Sequence, residues 1–346
     1  MVLEHVETYE LPDEPNEGVV YFMPPNQPDS EYYEQRTDRN IGWLSNKEQE
    51  ILKNTTIGIA GLGGMGGAVA PALMRMGIGA LKIADIEEFD ASNINRQFGA
   101  TRSTIGKSKA IESARALRAI TDDVAITVYP HGIQKDNVAD FVDGCDLVLD
   151  MVEFWAVSPR IMLHKAARAK NITVMSANPV GMGARLFIFD EHTCDIESFM
   201  GVTQEKADEF EQKTKAGTIT KKEQLLVLAS VMTNFVPELP FYAPETEIAS
   251  SHNALRKRML EDSKPSVLGG NIMMAGGFLA NHVALYLLQG SDVKRSKLPR
   301  YPRAPGYLYL DTAFMRAKLC HDGFVVRSKR WLYNAMVKRL AARMDE

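Results

Sequence analysis

With 346 residues, 45% of them hydrophobic and 24% charged, the chain holds enough apolar material for a large core and is too apolar to be a disordered chain. A formal net charge of −4 points away from a dedicated nucleic-acid binder. Cys145, Cys194 and Cys320 lie far apart with no CxxC pair, which excludes a disulfide framework and argues against structural zinc.

Residues 1–30 contain seven acids and no Lys or Arg, and Pro12, Pro15, Pro24, Pro25 and Pro28 punctuate them. They read as an extended acidic arm over residues 1–35. No basic and apolar leader opens the sequence, so a cytoplasmic location is expected. Next come a helix over Ser45–Asn54, a β-branched strand at Thr55–Ala60, a glycine turn at Gly61–Gly67 and a helix at Ala68–Met76. A second strand, Ala80–Ala84, runs into Asp85. The pattern continues with helix Lys107–Thr121, strand Ala125–Tyr129, short helix Val138–Val142, strand Asp146–Asp150 and helix Pro159–Lys170. Strands Ile172–Ser176 and Arg185–Phe189 close the series. Strands alternating with helices at this spacing predict an α/β domain over residues 36–190, its mostly parallel sheet covered by helices on both faces.

Beyond Asp190 the pattern changes to a smaller, substrate-facing portion, residues 191–346. Helices are expected at Glu205–Lys215 and Lys221–Thr233, then a proline-bearing loop at Pro237–Glu247. Val267–Leu288 is the most apolar stretch, but Asn271, Asn281, His282 and four glycines mark it as a buried core helix, and no membrane span is expected. Tyr307–Leu310 and Gly323–Val326 look strand-like, and Lys329–Met344 reads as a basic amphipathic helix that docks on its own domain, on an acidic protein or on a membrane surface. Residues 291–346 carry thirteen Lys/Arg against five Asp/Glu, so acidic head and basic tail are able to pair within one molecule or across a dimer.

Gly61-Leu62-Gly63-Gly64-Met65-Gly66 stands between a predicted strand and a predicted helix. Glycines there allow a tight turn and close approach of backbone to phosphate, and the following helix start offers free N–H groups. The spacing matches G-x-G-x-x-G, and Asp85 closes the second strand where a ribose-binding acid belongs. A nucleotide is expected; the turn alone does not say which. The stretch after Asp85 narrows the choice, because Asn93, Arg96 and Lys109 follow closely. A nicotinamide site needs little charge beyond the acid. Two cations and an amide beside a phosphate turn suit a triphosphate, whose leaving pyrophosphate gathers negative charge.

The run Asp85-x-Glu87-x₄-Ser92-Asn93-x-x-Arg96-Gln97, followed by Gly106-x-x-Lys109, resembles the ATP-binding signature of the ThiF/MoeB/HesA adenylyltransferases, the superfamily of the ubiquitin-activating enzymes. The likeness runs from about Arg36 to Phe189, with a weaker echo in Val267–Leu288. It implies a Rossmann-like fold and an enzyme that joins a carboxylate to AMP from ATP. It implies that Asp85 takes the ribose, that Asn93, Gln97, Arg96 and Lys109 meet the nucleotide and its phosphates, and that Gly61, Gly63, Gly64 and Gly66 form the turn beneath them. Family members carry R-x-x-R-Q-I ahead of the turn, the second arginine reaching into a partner subunit's site. Arg36-x-x-Arg39-Asn40-Ile41 is similar to it, which implies Arg39 as a finger in trans and a working homodimer. The family usually reads Leu-Asp-x-x-Asp after the fourth strand, its last Asp holding Mg²⁺; here Leu149-Asp150-Met151-Val152-Glu153 puts Glu153 in that role, with Asp150 either a second ligand or a structural carboxylate.

Neither the thioester cysteine nor the paired CxxC zinc motifs of some members have a clear counterpart. Cys194 sits in the region where a nucleophile would fall, with His192 as the nearest basic group, and reads as an ordinary cysteine. The substrate carboxylate remains open between a ubiquitin-like protein, a peptide C-terminus and a small acid. A nicotinamide-dependent oxidoreductase on the same turn, and an inactive nucleotide-binding partner subunit, are the rival readings.

Overall fold

The computed structural model describes residues 3–26, 30–236, 266–289 and 300–321, with single positions at 291, 298, 323, 328, 331 and 335. Within these residues ten strands form one sheet. In chain order they are β1 (Glu4–Glu7), β2 (Val19–Met23), β3 (Thr56–Ala60), β4 (Ala80–Ala84) and β5 (Ala125–Tyr129). β6 (Leu147–Asp150), β7 (Thr173–Val180), β8 (Gly183–Phe189), β9 (Tyr307–Asp311) and β10 (Arg316–Cys320) follow. Their spatial order is β1-β2-β5-β4-β3-β6-β7-β8-β9-β10. The central run β5-β4-β3-β6-β7 is parallel. The chain winds from β3 outward through β4 and β5, then returns to the other side of β3 for β6 and β7. That reversal leaves a crevice beyond the carboxyl ends of β3 and β6, where open α/β sheets bind ligands.

Strand residues alternate between two apolar layers, as the two-residue period requires. Leu147 and Leu149 face one layer and Val148 the other. The first layer is roofed by α2 (Asn46–Lys53), α3 (Gly64–Met76), α4 (Lys109–Arg118) and α10 (Gly269–Leu287), through Leu52, Leu73, Leu117 and Leu279. The second is covered by α5 (Val138–Val142), α6 (Val157–Ala169), α7 (Ile196–Met200), α8 (Gln204–Lys215) and α9 (Lys221–Phe235), through Phe141, Ile161, Phe199, Ala207 and Phe235. A further helix, α1 (Ser30–Thr37), precedes α2. Ser45 caps α2 and Thr220 caps α9, each in a reciprocal capping box with the third helical residue.

The acidic stretch expected as an extended arm over residues 1–35 is extended only in its earlier part, two pieces of which are strands of the sheet, and from Ser30 it is helical in α1. β2 pairs antiparallel with β5, Tyr21 opposite Val128, and β1 runs parallel to β2. The apolar run Val19–Met23 explains this: Val19, Val20, Tyr21 and Met23 are buried among otherwise solvated acids. From α4, Arg115 donates to the carbonyls of Leu11 and Pro12, and Arg118 to those of Met23 and Pro24.

Val267–Leu288 supplies α10, which packs along α3. A Cβ built on Gly276 would lie 2.6 Å from the Ala68 Cβ, so the two helices approach closely. Among the described residues no helix is long and apolar enough to cross a membrane. β7 and β8 form an antiparallel hairpin, and β9 and β10 extend the sheet beyond it. The expected loop Pro237–Glu247 and most of both the basic helix Lys329–Met344 and the Gly323–Val326 piece lie outside the described residues.

Candidate active site

The glycine turn crosses the carboxyl end of β3 and runs directly into α3. Gly61 has φ +95°, a conformation that favours glycine, and its N–H donates to the Ala84 carbonyl at 2.7 Å. A side chain on Gly66 would collide with the Gly61 carbonyl oxygen, so the turn folds back on itself and admits only glycine there. Asp85 locks it from below. Its Oδ2 accepts the Leu62 N–H at 2.6 Å and its Oδ1 the Glu87 N–H at 2.8 Å. Burial pushes the Asp85 carboxyl above its ordinary range, while the Leu62 N–H and the charge of Lys109 pull it back.

Lys109 opens α4, with Ser108 capping that helix. Its side chain is only 3% exposed, and its ammonium lies 2.6 Å from Glu87 Oε2. Glu153, on the segment after β6, feels Glu87, Lys109, Arg96 and Asp85 together. Burial is the larger reason that its carboxyl is raised, the Glu87 charge adds to it, and the two cations oppose it. A Cβ on Gly63 would stand 3.8 Å from Glu153 Oε1 and 3.5 Å from Gln97 Nε2, which places both side chains over the turn. Gln97 Oε1 is buried with no hydrogen-bond partner. An orphaned acceptor beside a phosphate turn is a group awaiting a donor from a ligand.

Asn93 and Arg96 belong to a loop that begins as a 3₁₀ turn, Ala91–Asn93. Asn93 is buried and its Oδ1 accepts the Asp90 N–H at 3.0 Å, so its amide NH₂ is the end left to donate. Arg96 folds back on the Ser92 carbonyl and Asn95 Oδ1, both at 3.1 Å. The same loop abuts the start of α10: Asn95 Nδ2 donates to the Val267 carbonyl, and a Cβ on Gly269 would meet the Asn95 carbonyl oxygen. Gly64 packs against Ile272 of α10, so that helix braces the turn as well.

Arg36 and Arg39 part company. Arg36 pairs with Asp123 at 2.7 Å and donates to the Met74 carbonyl, half inside the structure. Arg39, on the short turn Asp38–Asn40, has a fully exposed side chain, 3.9 Å from Asp38. Among the described residues, Asp38 is its one ion-pair partner.

The site owes two further features to pairings that the motif does not mark. Glu87 stands in the motif, but its pairing with Lys109 is not something the motif marks. Arg160 and His164 of α6 both bond Asp150 Oδ2, at 2.9 and 3.0 Å. Their spacing of one helical turn was the legible hint. These bonds make Asp150 a structural carboxylate. The Arg160 charge and the His164 contact hold it down at about 2 in spite of complete burial. Cys194 is half-buried near the Ala304 carbonyl, and His192 pairs with Glu191 at 3.2 Å.

Among the described residues no three His, Cys, Asp or Glu side chains form a metal cage. Mg²⁺ does not require one, since it is commonly held by one or two carboxylates together with substrate phosphates. Glu153 with its neighbour Glu87 offers such hard oxygen donors at the turn, so the residues fit that ion in the company of a triphosphate.

The model of the ThiF family matches residues 37–314. Over 265 residues, 75% of this chain and 97% of the other, the sequence is 25% identical to tRNA threonylcarbamoyladenosine dehydratase of Bacillus subtilis. Over 142 residues, 41% of this chain, it is 33% identical to molybdopterin-synthase adenylyltransferase of Escherichia coli. The chain spans 56% of the length of that adenylyltransferase, and the same share of the Escherichia coli dehydratase. A crystal structure of Escherichia coli MccB with succinimide shares the fold, with a TM-score of 0.52 and 16% identity over 83% of this chain and 71% of that one.

Proposed function

This chain belongs to the ThiF family, and on that premise we propose that it joins a substrate carboxylate to AMP taken from ATP, with release of pyrophosphate. The observation that carries the reading is the glycine turn itself, with Asp85 bonded beneath it, Gln97 and Glu153 over it, and Lys109 held by Glu87. The name of the Escherichia coli adenylyltransferase relative supports it.

The turn and the start of α3 direct backbone N–H groups at the phosphates. Each Asp85 oxygen has a second lone-pair site beyond its backbone bond, open to a ribose hydroxyl. Lys109 exchanges Glu87 for phosphate oxygens, and Arg96 unfolds from its own loop to join it. Glu153 would hold Mg²⁺, whose charge would offset that of the phosphate oxygens. Arg39, fully exposed and 3.9 Å from Asp38, completes the site of a second copy in a homodimer. The substrate carboxylate is already ionised at neutral pH and needs no general base to attack the α-phosphorus. Catalysis is then positioning and charge stabilisation. An adenylate captured by a nucleophile within the same molecule results in net loss of water, so the dehydratase names of other relatives fit the same first step. The net charge of −4 favours a protein, peptide or small acid over tRNA as the carrier of the carboxylate. A dehydrogenase on this turn would leave Lys109 and Arg96 without a task.

Exchange of labelled pyrophosphate into ATP, measured against a panel of carrier proteins, peptides and small acids, tests the reading. Exchange that depends on one carboxylate class is expected. Nicotinamide turnover with no exchange from any member of the panel would overturn it.

A further inference from the structure

We propose that Arg160, together with Asp150, is a positioning residue that fixes the segment Met151–Glu153 and so aims Glu153 at the phosphate turn. This rests on the reading of Glu153 given above.

The segment leaves β6 and passes directly against the turn. The Met151 N–H donates to the Ala60 carbonyl at 2.8 Å, and the Met151 carbonyl occupies the place a Gly61 side chain would need. The next peptide groups are gripped from both sides by one buried ion pair. Asp150 Oδ1 accepts the Val152 N–H at 3.2 Å, and Arg160 Nη2 donates to the Val152 carbonyl oxygen. Arg160 Nε closes the loop on Asp150 Oδ2 at 2.9 Å, and His164 bonds the same oxygen. The clamp is itself held. The guanidinium lies 5.0 Å from the Phe235 ring centroid and 5.8 Å from that of Phe154, while His164 stands edge-on to Phe189. With Val152 fixed through both N–H and C=O, the backbone entering Glu153 has one course. Its carboxylate follows.

A core that needed only stability would do as well with apolar residues, because desolvation offsets most of what a buried ion pair gains. What this pair adds is direction, and the guanidinium is suited to that. It spans Asp150 and Val152 with separate nitrogens on a planar fork, whereas a lysine brings one nitrogen and cannot hold both. Groups that orient a metal-side carboxylate typically alter metal affinity by about 10- to 100-fold when removed.

The test is calorimetric binding of ATP by the full chain, in excess Mg²⁺ and in EDTA, for wild type, R160M, R160K, D150N and E153Q. Wild type is expected to bind more tightly with Mg²⁺, and E153Q to lose that gain. R160M and R160K are expected to lower the Mg²⁺-dependent gain by about 10-fold or more while affinity in EDTA stays within about two-fold. R160K, which keeps the charge, is the arm that a merely charge-balancing role would rescue; rescue by it overturns the proposal. Full Mg²⁺ gain in folded R160M, alongside its loss in E153Q, also overturns it and leaves the Glu153 reading standing. Full gain in E153Q removes the Glu153 reading and this inference with it. If both Arg160 variants fail to fold, D150N carries the test: its amide keeps an acceptor for Val152 but turns a donor toward Arg160, and the same loss of Mg²⁺ gain is expected.

Discussion

Glu87 holds Lys109 twice, its carbonyl oxygen accepting the Lys109 N–H at 2.9 Å and its carboxylate meeting the ammonium at 2.6 Å. The lysine is thereby fixed in place before any phosphate arrives, beside three carboxylates that would otherwise repel one another. Replacing Lys109 by Ala is expected to lower pyrophosphate exchange by about 10²–10³-fold, the usual loss when one charge-stabilising donor is removed. Exchange assays on the purified variant check this; a loss under about three-fold would show that Lys109 does not meet the phosphates.

Arg39 makes the opposite prediction about stability. Its side chain is fully exposed, so Arg39→Ala leaves the melting temperature unchanged within about a degree. Exchange activity is nevertheless expected to fall steeply. Co-refolding Arg39→Ala with Lys109→Ala subunits then rebuilds one complete site in each mixed dimer, and about a quarter of wild-type activity returns. An Arg39 that acts within its own chain gives the same loss and no recovery on mixing.

Two adjacent glycines on α10 separate space from propensity. Gly276 faces Ala68 of α3 with no room for a methyl group, whereas nothing lies within 4 Å of a Cβ on Gly277. Gly276→Ala is expected to destabilise by roughly 1–3 kcal/mol through overpacking. Gly277→Ala, in a helix interior, is expected to stabilise by up to about 1 kcal/mol. Urea unfolding of the two variants side by side reads the difference, and equal midpoints would refute the close helix contact.

Acid sensitivity has a named source in Asp150. Its folded pKa of about 2 lies below the unfolded carboxylate value of about 3.9. The stabilisation from its ion pair is therefore present above about pH 4 and is lost as pH falls through about 2. Two units of separation correspond to about 2–3 kcal/mol. Asp150→Asn, compared with wild type in urea titrations from neutral pH downward, should be less stable at neutral pH and show a flatter decline in acid.

Much of the fold could be read from the chain. The expected strand Ala125–Tyr129 and helix Val138–Val142 coincide with β5 and α5, because short apolar runs with clear breakers leave little choice of boundary. The expected glycine turn, Gly61–Gly67, is four residues too long. Gly64–Gly67 are helical, since packing of Gly64 on Ile272 outweighs the weak helix preference of glycine. β10 carries no apolar alternation to find: Arg316, Ala317, Lys318 and Leu319 are all exposed. At the site, Asp85, Arg96 and Lys109 were legible through the resemblance. Of the Asp150–Arg160 pair only the helical spacing of Arg160 and His164 was visible, because the pair joins a strand end to a helix whose crossing only the folded chain defines.

The stretch at the start of the chain is tied, through Arg115 and Arg118, to the helix that begins at Lys109. Shortening the protein to its nucleotide-binding portion by cutting at about Asn26 would therefore uncover the outer side of β5 and unseat the far end of that helix. A truncated form that fails to bind ATP would then report a lost foundation, with every residue of the pocket still in place.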